Sequence, residues 1–248
     1  MILDGKVALV TGGGRGIGRG IALALAKAGA GVVILERDAE TGPRSVAEIE
    51  ALDGRALVHT GSVRERSDCE AAVAGARAEF GGVDILVNNA QQVPMGSLDD
   101  CSDADMYAAW ESGALAAFRL MQLCHPMMRE RGGGAIVNLA SGAGTVGVAG
   151  LGAYAVAKEG IRALTKVAML EWGVDNIRVN TICPWAENDY WHGLSDEQRA
   201  ARIRNNPLRR IGEPERDVGG LVVFLASDAG SYVTGQTIHV DGGNMGFR

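Results

Sequence analysis

Three side chains in the middle of the chain, those of Ser141, Tyr154 and Lys158, have types and spacings that suit proton transfer. Residues four apart in a helix lie on one face, so Tyr154 and Lys158 are predicted to project side by side into one cleft. A free phenol has a pKa of about 10, too high for a base at neutral pH, but a nearby ammonium favours the phenolate. We therefore expect Lys158 to lower the pKa of Tyr154.

A sheet must position these side chains, because short β-branched runs alternate with longer helical patterns along the chain. The predicted strands are 7–10, 32–35, 56–58, 85–87, 135–139, 177–182 and 237–240, and the predicted helices are 16–29, 39–52, 65–80, 103–131, 154–173 and 214–226. The strand runs are apolar on both faces, which is typical of parallel strands covered by helices above and below. We expect one α/β domain over residues 1–248, with a doubly wound sheet of seven parallel strands.

The first predicted strand runs directly into a glycine-rich turn, Thr11-Gly12-Gly13-Gly14-Arg15-Gly16-Ile17-Gly18, and a helical pattern begins within it. Glycines there allow a tight turn and a close approach of the backbone to a ligand, so that a pyrophosphate can sit at the positive end of the helix. A glycine-rich turn alone is weak evidence, but the strand, turn and helix together predict a dinucleotide site.

Glu36 follows the second predicted strand, where a carboxylate can accept hydrogen bonds from the ribose hydroxyls of adenosine. A carboxylate would also repel a 2′-phosphate, so Glu36 favours NAD over NADP. Arg15 and Arg37 act in the other direction, because either guanidinium could pair with that phosphate. The alternative for Glu36 is a solvated charge at a strand end.

The composition excludes several classes of function. A formal net charge of −6 argues against non-specific binding to nucleic acid or to an anionic membrane, and no apolar stretch approaches the length of a membrane span. The four cysteines, Cys69, Cys101, Cys124 and Cys183, have no metal-ligand spacing and are expected to be reduced thiols. With no signal-peptide pattern at Met1, we expect a cytoplasmic protein that binds a small molecule and no metal.

Several motifs in the same order make the chain resemble the short-chain dehydrogenase/reductase family over essentially its whole length. They are Thr11-Gly12-x-x-x-Gly16-Ile17-Gly18, Asn88-Asn89-Ala90, Ser141 with Tyr154-x-x-x-Lys158, and Pro184 after the sixth strand. The resemblance implies a Rossmann-type fold, a homotetramer or dimer, and hydride transfer between NAD(H) and a secondary alcohol or ketone. In this family the last strand approaches the subunit interface, where Met245 and Phe247 are candidates for packing.

The resemblance also implies roles for single residues. Tyr154 would be the general acid/base, Lys158 would hold the nicotinamide ribose and lower the tyrosine pKa, and Ser141 would hydrogen-bond the reacting oxygen. The cofactor site implied in this way comprises Gly12, Arg15, Gly16, Ile17, Gly18, Glu36, Ser62, Val63, Asn89, Ala90, Tyr154, Lys158 and Pro184.

The chain departs from the family pattern at two positions close to the nicotinamide. Gln91 stands where most members have glycine, and Gln91 and Gln92 either reach the substrate or point away and cap the strand. Gly113 stands where the family usually has an asparagine that supports a proton relay to the lysine. A glycine cannot hold the relay water with a side chain, so either Ser112 and backbone carbonyls substitute or proton exchange is slower.

Two further departures concern the adenine and the substrate. Ser62 replaces the aspartate that usually binds adenine, and Trp185 replaces the glycine after Pro184. Trp185 begins a segment of about residues 185–212 that in relatives covers the substrate. Trp185, Tyr190 and Trp191 either accept a cyclic or bulky apolar substrate or pack this segment against the body.

We therefore predict an NAD-dependent alcohol dehydrogenase or ketoreductase whose substrate-binding residues are Gln91, Gln92, Ser141, Trp185 and Trp191. One rival hypothesis is a dinucleotide-binding sensor or scaffold that has lost efficient redox chemistry, motivated by Gly113 and Trp185. A second rival is an enzyme that uses Ser141 and Tyr154 for dehalogenation or elimination.

Overall fold

The fold is built on seven β-strands, as the apolar runs predict. The structure is a computed structural model and describes residues 1–245. Its strands are β1 (Val7–Thr11), β2 (Gly31–Glu36), β3 (Ala56–Thr60), β4 (Ile85–Asn88), β5 (Gly134–Leu139), β6 (Ile177–Pro184) and β7 (Thr237–Val240). Each predicted strand is confirmed, and several extend by one or two residues.

The strands form one sheet in the order β3-β2-β1-β4-β5-β6-β7, and every adjacent pair is parallel. The chain starts near the centre of the sheet, builds outward to β3, and then returns to β4 beside β1. The predicted fold class, a doubly wound sheet of seven parallel strands, is confirmed. A crevice opens where the direction of winding changes, between β1 and β4.

Two apolar cores lie on the two faces of the sheet, and successive strand residues alternate between them. Ala8 and Val10 of β1 face one core, whereas Val7 and Leu9 face the other. This alternation is the period of two that a strand imposes. Because both faces are covered, the central strands consist almost entirely of buried residues.

Ten α-helices are present within residues 1–245. They are α1 (Gly16–Lys27), α2 (Thr41–Glu50), α3 (Arg66–Phe80), α4 (Asp103–Ser112), α5 (Ala114–Glu130), α6 (Gly142–Val146), α7 (Gly152–Trp172), α8 (Asp189–His192), α9 (Asp196–Asn205) and α10 (Gly220–Ala226). None of them is long and apolar enough to cross a membrane.

The helix predicted over 103–131 is in fact two helices, because α4 ends at Ser112 and α5 begins at Ala114. Gly113 between them has φ −104° and ψ −95°, well outside the helical region. The prediction of one helix was wrong here because apolar spacing continues across the break. The region predicted as a helix over 214–226 begins as a π-helical turn, Pro214–Gly219, before α10.

The segment of residues 185–212 is partly helical, since it contains α8 and α9. Both helices have side-chain caps: Asn188 accepts from the Tyr190 N–H, and Ser195 forms a capping box with Gln198. The α9 sequence is polar on most of its surface, so it has little of the apolar periodicity that predicts a helix.

The four cysteines are free thiols, as expected from the sequence, and three of them are buried. Asp84 supports the sheet at the opposite edge from the crevice. Its buried carboxylate accepts from the Val7 N–H at 2.8 Å and from two nitrogens of Arg131 at 2.8 Å each.

Candidate active site

A cleft of about 950 Å³ lies at the carboxyl edge of the sheet, around the crevice between β1 and β4. Its walls come from the turn after β1, residues 89–92 after β4, Ser141 after β5 and Pro184 at the end of β6. Doubly wound sheets bind ligands at this place, and the volume falls in the range of small-molecule sites. The fold therefore brings the distant motifs of the sequence into one cavity.

The glycine turn leaves room for a ligand at the start of α1. Gly12 and Gly16 have φ of +64° and +51°, conformations that favour glycine. A Cβ at Gly18 would lie 2.1 Å from the carbonyl oxygen of Gly12, so a side chain does not fit there. The exposed N–H groups at the start of α1, with Ile17 also lining the cleft, fit the pyrophosphate of a dinucleotide.

Asn89 and Ala90 hold this turn against β4. The Asn89 side chain donates to the carbonyl oxygens of Thr11 and Gly12 at 2.9 and 3.1 Å. In return, the Thr11 hydroxyl accepts from the N–H groups of Asn89 and Ala90 at 3.0 Å each. Thr11 was absent from the predicted site, although its position directly before Gly12 is a signal that could have identified it.

Glu36 is buried at the end of β2, with its carboxylate at the cleft. One oxygen accepts from the Gly14 N–H at 3.1 Å and the other from the Asp38 N–H at 3.1 Å. Glu36 is therefore fixed by the glycine turn and is not a freely solvated charge. Arg15 forms an ion pair with Asp189 at 2.9 Å, which links the turn to α8.

Ser62 and Val63 line the far end of the cleft, after β3. The Ser62 hydroxyl accepts from the Arg64 N–H at 3.2 Å, and the Ser62 N–H donates to the Asp68 carboxylate at 2.7 Å. A carboxylate is thus present beside Ser62, although it comes from the first turn of α3. Sequence reasoning missed Asp68 because it lies six residues beyond the aligned position.

Tyr154 and Lys158 lie in the first two turns of α7, with the Lys158 Nζ 5.5 Å from the centre of the Tyr154 ring. Lys158 is buried and donates to the carbonyl oxygen of Leu139 at 2.7 Å. Ser141 is the N-cap of α6, and its hydroxyl accepts from the Ala143 N–H at 3.2 Å. The helix spacing therefore brings the predicted pair together beside Ser141.

The pKa of Tyr154 is shifted in the direction opposite to our expectation. Burial raises the pKa of its phenol, and hydrogen bonding to the Ser141 side chain opposes that shift. Burial also lowers the pKa of Lys158 to about 7. The Lys158 ammonium lies over the Tyr154 ring and loses its charge near neutral pH. Its attraction for the phenolate is therefore too weak to offset the effect of burial on the tyrosine pKa.

A buried polar network connects the strands of the site to α7. The Asn88 side chain donates to Asn138 at 2.8 Å, and Asn138 donates to the Thr165 hydroxyl at 2.9 Å. Thr181 donates to the same hydroxyl at 2.9 Å. The network fixes α7, and with it Tyr154 and Lys158, relative to β4, β5 and β6.

The three aromatic residues of the covering segment occupy different environments. Trp191 is only 3% exposed and meets the Trp185 ring edge-on, with ring centres 4.8 Å apart. Tyr190 is exposed, and its hydroxyl accepts from Arg202 at 2.5 Å. Trp191 therefore packs the segment against the body, whereas Trp185 is partly exposed at the cleft beside Pro184.

Gln91 and Gln92 both line the cleft, but the Gln91 amide is directed to α4. Its nitrogen donates to the carbonyl oxygen of Ala109 at 2.9 Å, and the Gln92 N–H donates to the Ser112 hydroxyl at 2.9 Å. Of the two alternatives for Gln91, this orientation favours the one that points away from the substrate. A substrate contact by either residue stays a prediction.

Comparison with known proteins gives matches along the whole chain. A family model described as enoyl-(acyl carrier protein) reductase matches residues 12–244. A 12alpha-hydroxysteroid dehydrogenase from Clostridium sp. (strain ATCC 29733 / VPI C48-50) is 40% identical, and the alignment covers 100% of this chain and 99% of that protein. A cyclohexanol dehydrogenase from Acinetobacter sp. (strain SE19) is 36% identical, with coverage of 96% and 94%.

Solved structures have the same architecture. A 7 alpha-hydroxysteroid dehydrogenase complexed with NADH and 7-oxo glycochenodeoxycholic acid superposes with a TM-score of 0.92 at 35% identity, covering 97% of this chain and 94% of the other. Among the relatives matched by sequence, the 3-oxoacyl-[acyl-carrier-protein] reductase FabG of Escherichia coli (strain K12) is 37% identical over 98% of both chains. Enzymes of alcohol and ketone oxidoreduction are therefore similar to this chain over its full length.

Proposed function

Because the chain belongs to the short-chain dehydrogenase/reductase family, we propose that it transfers a hydride between NAD(H) and a secondary alcohol or ketone, with Tyr154 as the general acid/base. The observation that carries the proposal is that Ser141 and Tyr154 line the same cleft as the glycine turn, with the buried Lys158 directly behind the Tyr154 ring. When bound there, the nicotinamide cofactor accepts or supplies the hydride.

The residues of the chain perform the proton transfer. In alcohol oxidation, the Tyr154 phenolate removes the hydroxyl proton as the C–H hydride departs, and the C–O bond becomes a carbonyl. In ketone reduction, the neutral phenol protonates the developing alkoxide. The Ser141 hydroxyl donates a hydrogen bond to the reacting oxygen, where negative charge is greatest. Since burial raises the pKa of Tyr154, its proton is retained at neutral pH, which suits reduction, and oxidation should accelerate with rising pH.

NAD is the proposed cofactor because Glu36 presents a fixed carboxylate where the adenosine ribose would lie. Its oxygens accept from Gly14 and Asp38 and keep further lone pairs for ribose hydroxyls. A 2′-phosphate would meet this buried negative charge. Of the two arginines that could compensate, Arg15 is paired with Asp189, whereas Arg37 lines the cleft and acts in the other direction. These contacts support NAD over NADP.

The proposed substrate is a cyclic or otherwise bulky apolar alcohol or ketone. The cleft beside Tyr154 has apolar walls from Val93, Met95, Leu151 and Trp185. Two of the relatives, a hydroxysteroid dehydrogenase and a cyclohexanol dehydrogenase, are named for cyclic substrates. Trp185 is the aromatic residue proposed to contact the ring.

The test is turnover of a substrate panel with NAD and with NADP, followed by the absorbance of the reduced cofactor. The panel contains a hydroxysteroid, cyclohexanol and the corresponding ketones. We expect NAD-dependent turnover that Tyr154→Phe lowers by about 10² or more, the scale of general acid/base catalysis. Tyr232→Phe, a fully exposed residue, is the matched control.

Other results would favour the rival hypotheses. Tight binding of NADH with no turnover of the panel, together with a specific protein partner, would indicate a sensor or scaffold. Failure of both nicotinamide cofactors to bind in calorimetry would indicate non-redox chemistry.

A homotetramer is the proposed assembly. Large apolar side chains are exposed on neighbouring helices, among them Trp110 of α4, Phe118 of α5 and Leu170 of α7, and such patches mark interfaces. Light scattering of the purified protein measures the assembly directly. The suggested contact of Phe247 lies outside the described residues.

The free thiols support the proposed cytoplasmic location.

A further inference from the structure

The break between α4 and α5 is filled by a side chain from another part of the chain. Gly113 interrupts the helices, and Gln91, twenty-two residues earlier, places its amide in the break. The amide nitrogen donates to the carbonyl oxygens of Gln92 and Ala109 at 2.8 and 2.9 Å and approaches the Ser112 hydroxyl at 3.3 Å. The amide is therefore anchored both to the loop after β4 and to α4.

The orientation of the amide follows from its neighbours. If the nitrogen and oxygen were exchanged, the oxygen would face two carbonyl oxygens, which cannot donate hydrogen bonds. In the observed orientation, Oε1 is buried and points toward Gly113, and within residues 1–245 no donor satisfies it. A buried acceptor of this kind costs free energy, so the anchored nitrogen must fix it there.

Gly113 is required by this arrangement. A Cβ at position 113 would lie 2.3 Å from Gln91 Oε1, far inside van der Waals contact. The oxygen could retreat only if the nitrogen gave up its bonds to Ala109 and Gln92. The residues at 91 and 113 are thus coupled: the long amide fits only opposite a glycine, and the glycine leaves a space that the amide fills.

The filled break lies against the part of α7 that carries Lys158. Ala109, before the break, packs with Ala153 and Ala157, and Ala114, after it, packs with Ile161. The residues before and after Gly113 therefore pack against α7 at positions that precede and follow Lys158 along that helix. Movement of the break would shift this helix and change the placement of the Lys158 ammonium relative to Tyr154.

We propose that Gln91 is a positioning residue for the proposed reaction: its amide, docked in the break at Gly113, holds α4 and α5 against the face of α7 that presents Lys158. The proposal rests on the proposed function for its kinetic consequence. It assigns Gln91 a role through Lys158 and not through direct contact with the substrate.

The test is a double-mutant cycle of Gln91→Ala and Gly113→Ala. Each single change removes the docked amide, so each should lower kcat about tenfold or more, as positional errors do, with KM for NAD changed less than twofold. The double variant should be no worse than either single variant, because both changes break the same contact. Gln91→Ala/Gly113→Asn, which supplies an amide from the helix, should recover at least half of the lost kcat.

Two controls match the substitutions. Gln122→Ala removes an exposed glutamine of α5. Gly220→Ala adds a methyl group in α10 that, within residues 1–245, would meet no atom within 4 Å beyond its chain neighbours and the backbone of its own helix. Both should retain wild-type kcat. Additive losses at positions 91 and 113, or an unchanged kcat in Gln91→Ala, would overturn the proposal.

A second readout separates this proposal from the proposed function. The four proteins of the cycle are the wild type, the two single variants and the double variant Gln91→Ala/Gly113→Ala. Their free energies of unfolding are measured in urea at two pH values, once with Lys158 present and once with Lys158→Met. Loss of the docked amide should raise the pKa of Lys158 toward its ordinary value, and the losses of stability should again be non-additive. If wild-type protein turns over no substrate, the proposed function fails, and additive stability losses with an unchanged Lys158 pKa would then overturn the present proposal as well.

Discussion

Replacing Lys158 by Met should remove a specific pH dependence of stability. Lys158 is buried, and its burial lowers its pKa in the folded protein to about 7, whereas an unfolded lysine titrates near 10.4. Between these two values the unfolded chain binds more protons than the folded one. The free energy of unfolding therefore rises with pH in this window, and the rise ends as pH approaches the unfolded pKa.

The magnitude follows from the two pKa values. Between pH of about 7 and about 8.5, the folded lysine goes from half protonated to almost neutral while the unfolded lysine stays charged. Integration of the proton difference gives a contribution from Lys158 of about 1.5 kcal/mol over that interval. The Cys69 and Cys183 thiols oppose this contribution, because burial raises their pKa to about 11 in the folded protein while unfolded thiols ionise near a pKa of about 8.5. Their effect grows at higher pH, so the interval ends at about 8.5.

The assay is urea unfolding at both pH values and at one fixed protein concentration. Subtraction of the Lys158→Met result from the wild-type result cancels the other titrating groups and should leave the gain of about 1.5 kcal/mol. Lys166→Met, at an exposed position on the same helix, should keep the wild-type dependence. An identical pH dependence in wild-type protein and Lys158→Met would refute the reasoning that burial controls this lysine.

Two further predictions concern cofactor choice and the sheet. Glu36→Ala should lower the ratio of kcat/KM for NAD to kcat/KM for NADP by about tenfold or more. The variant loses both a charge-assisted contact to the ribose of NAD and the repulsion of the NADP phosphate. An unchanged ratio would contradict the role of the carboxylate that Gly14 fixes. Asp84→Ala should lower the free energy of unfolding by about 3 kcal/mol, since it leaves the Val7 N–H and the Arg131 guanidinium without their partner. Urea unfolding measures that loss, and a value below about 1 kcal/mol would contradict it.

The strands could be predicted because their signal is local. Each buried strand is a short β-branched run, and this pattern survives whatever surrounds it. Helix α9 lacks such a signal: its residues are largely polar, and it begins with the capping box of Ser195 and Gln198. The break at Gly113 is also invisible in the apolar spacing, because it depends on the side chain of Gln91 from a different element.

The proximity of the three candidate catalytic residues could be predicted, but the pKa shifts that the fold imposes on them could not. Ser141, Tyr154 and Lys158 follow from type and spacing, and the fold brings them together. The direction of the Tyr154 pKa could not be foreseen, because it depends on how deeply the phenol is buried and on where the Lys158 ammonium lies relative to the ring. Asp189 enters the site through a tertiary contact with Arg15 that no spacing along the chain encodes.

The position of β1 between β2 and β4 has a consequence for how the protein assembles. The cleft has one wall from residues 12–64 and the other from residues after β4. In the sheet, the two walls are joined by the pairing of Ala8, Leu9 and Val10 with β4. Parallel pairing over such a sequence separation is slow to form. A collapsed intermediate with only the first three strands in place would lack one wall, so recovery of dinucleotide fluorescence during refolding would time the joining of the two halves of the sheet.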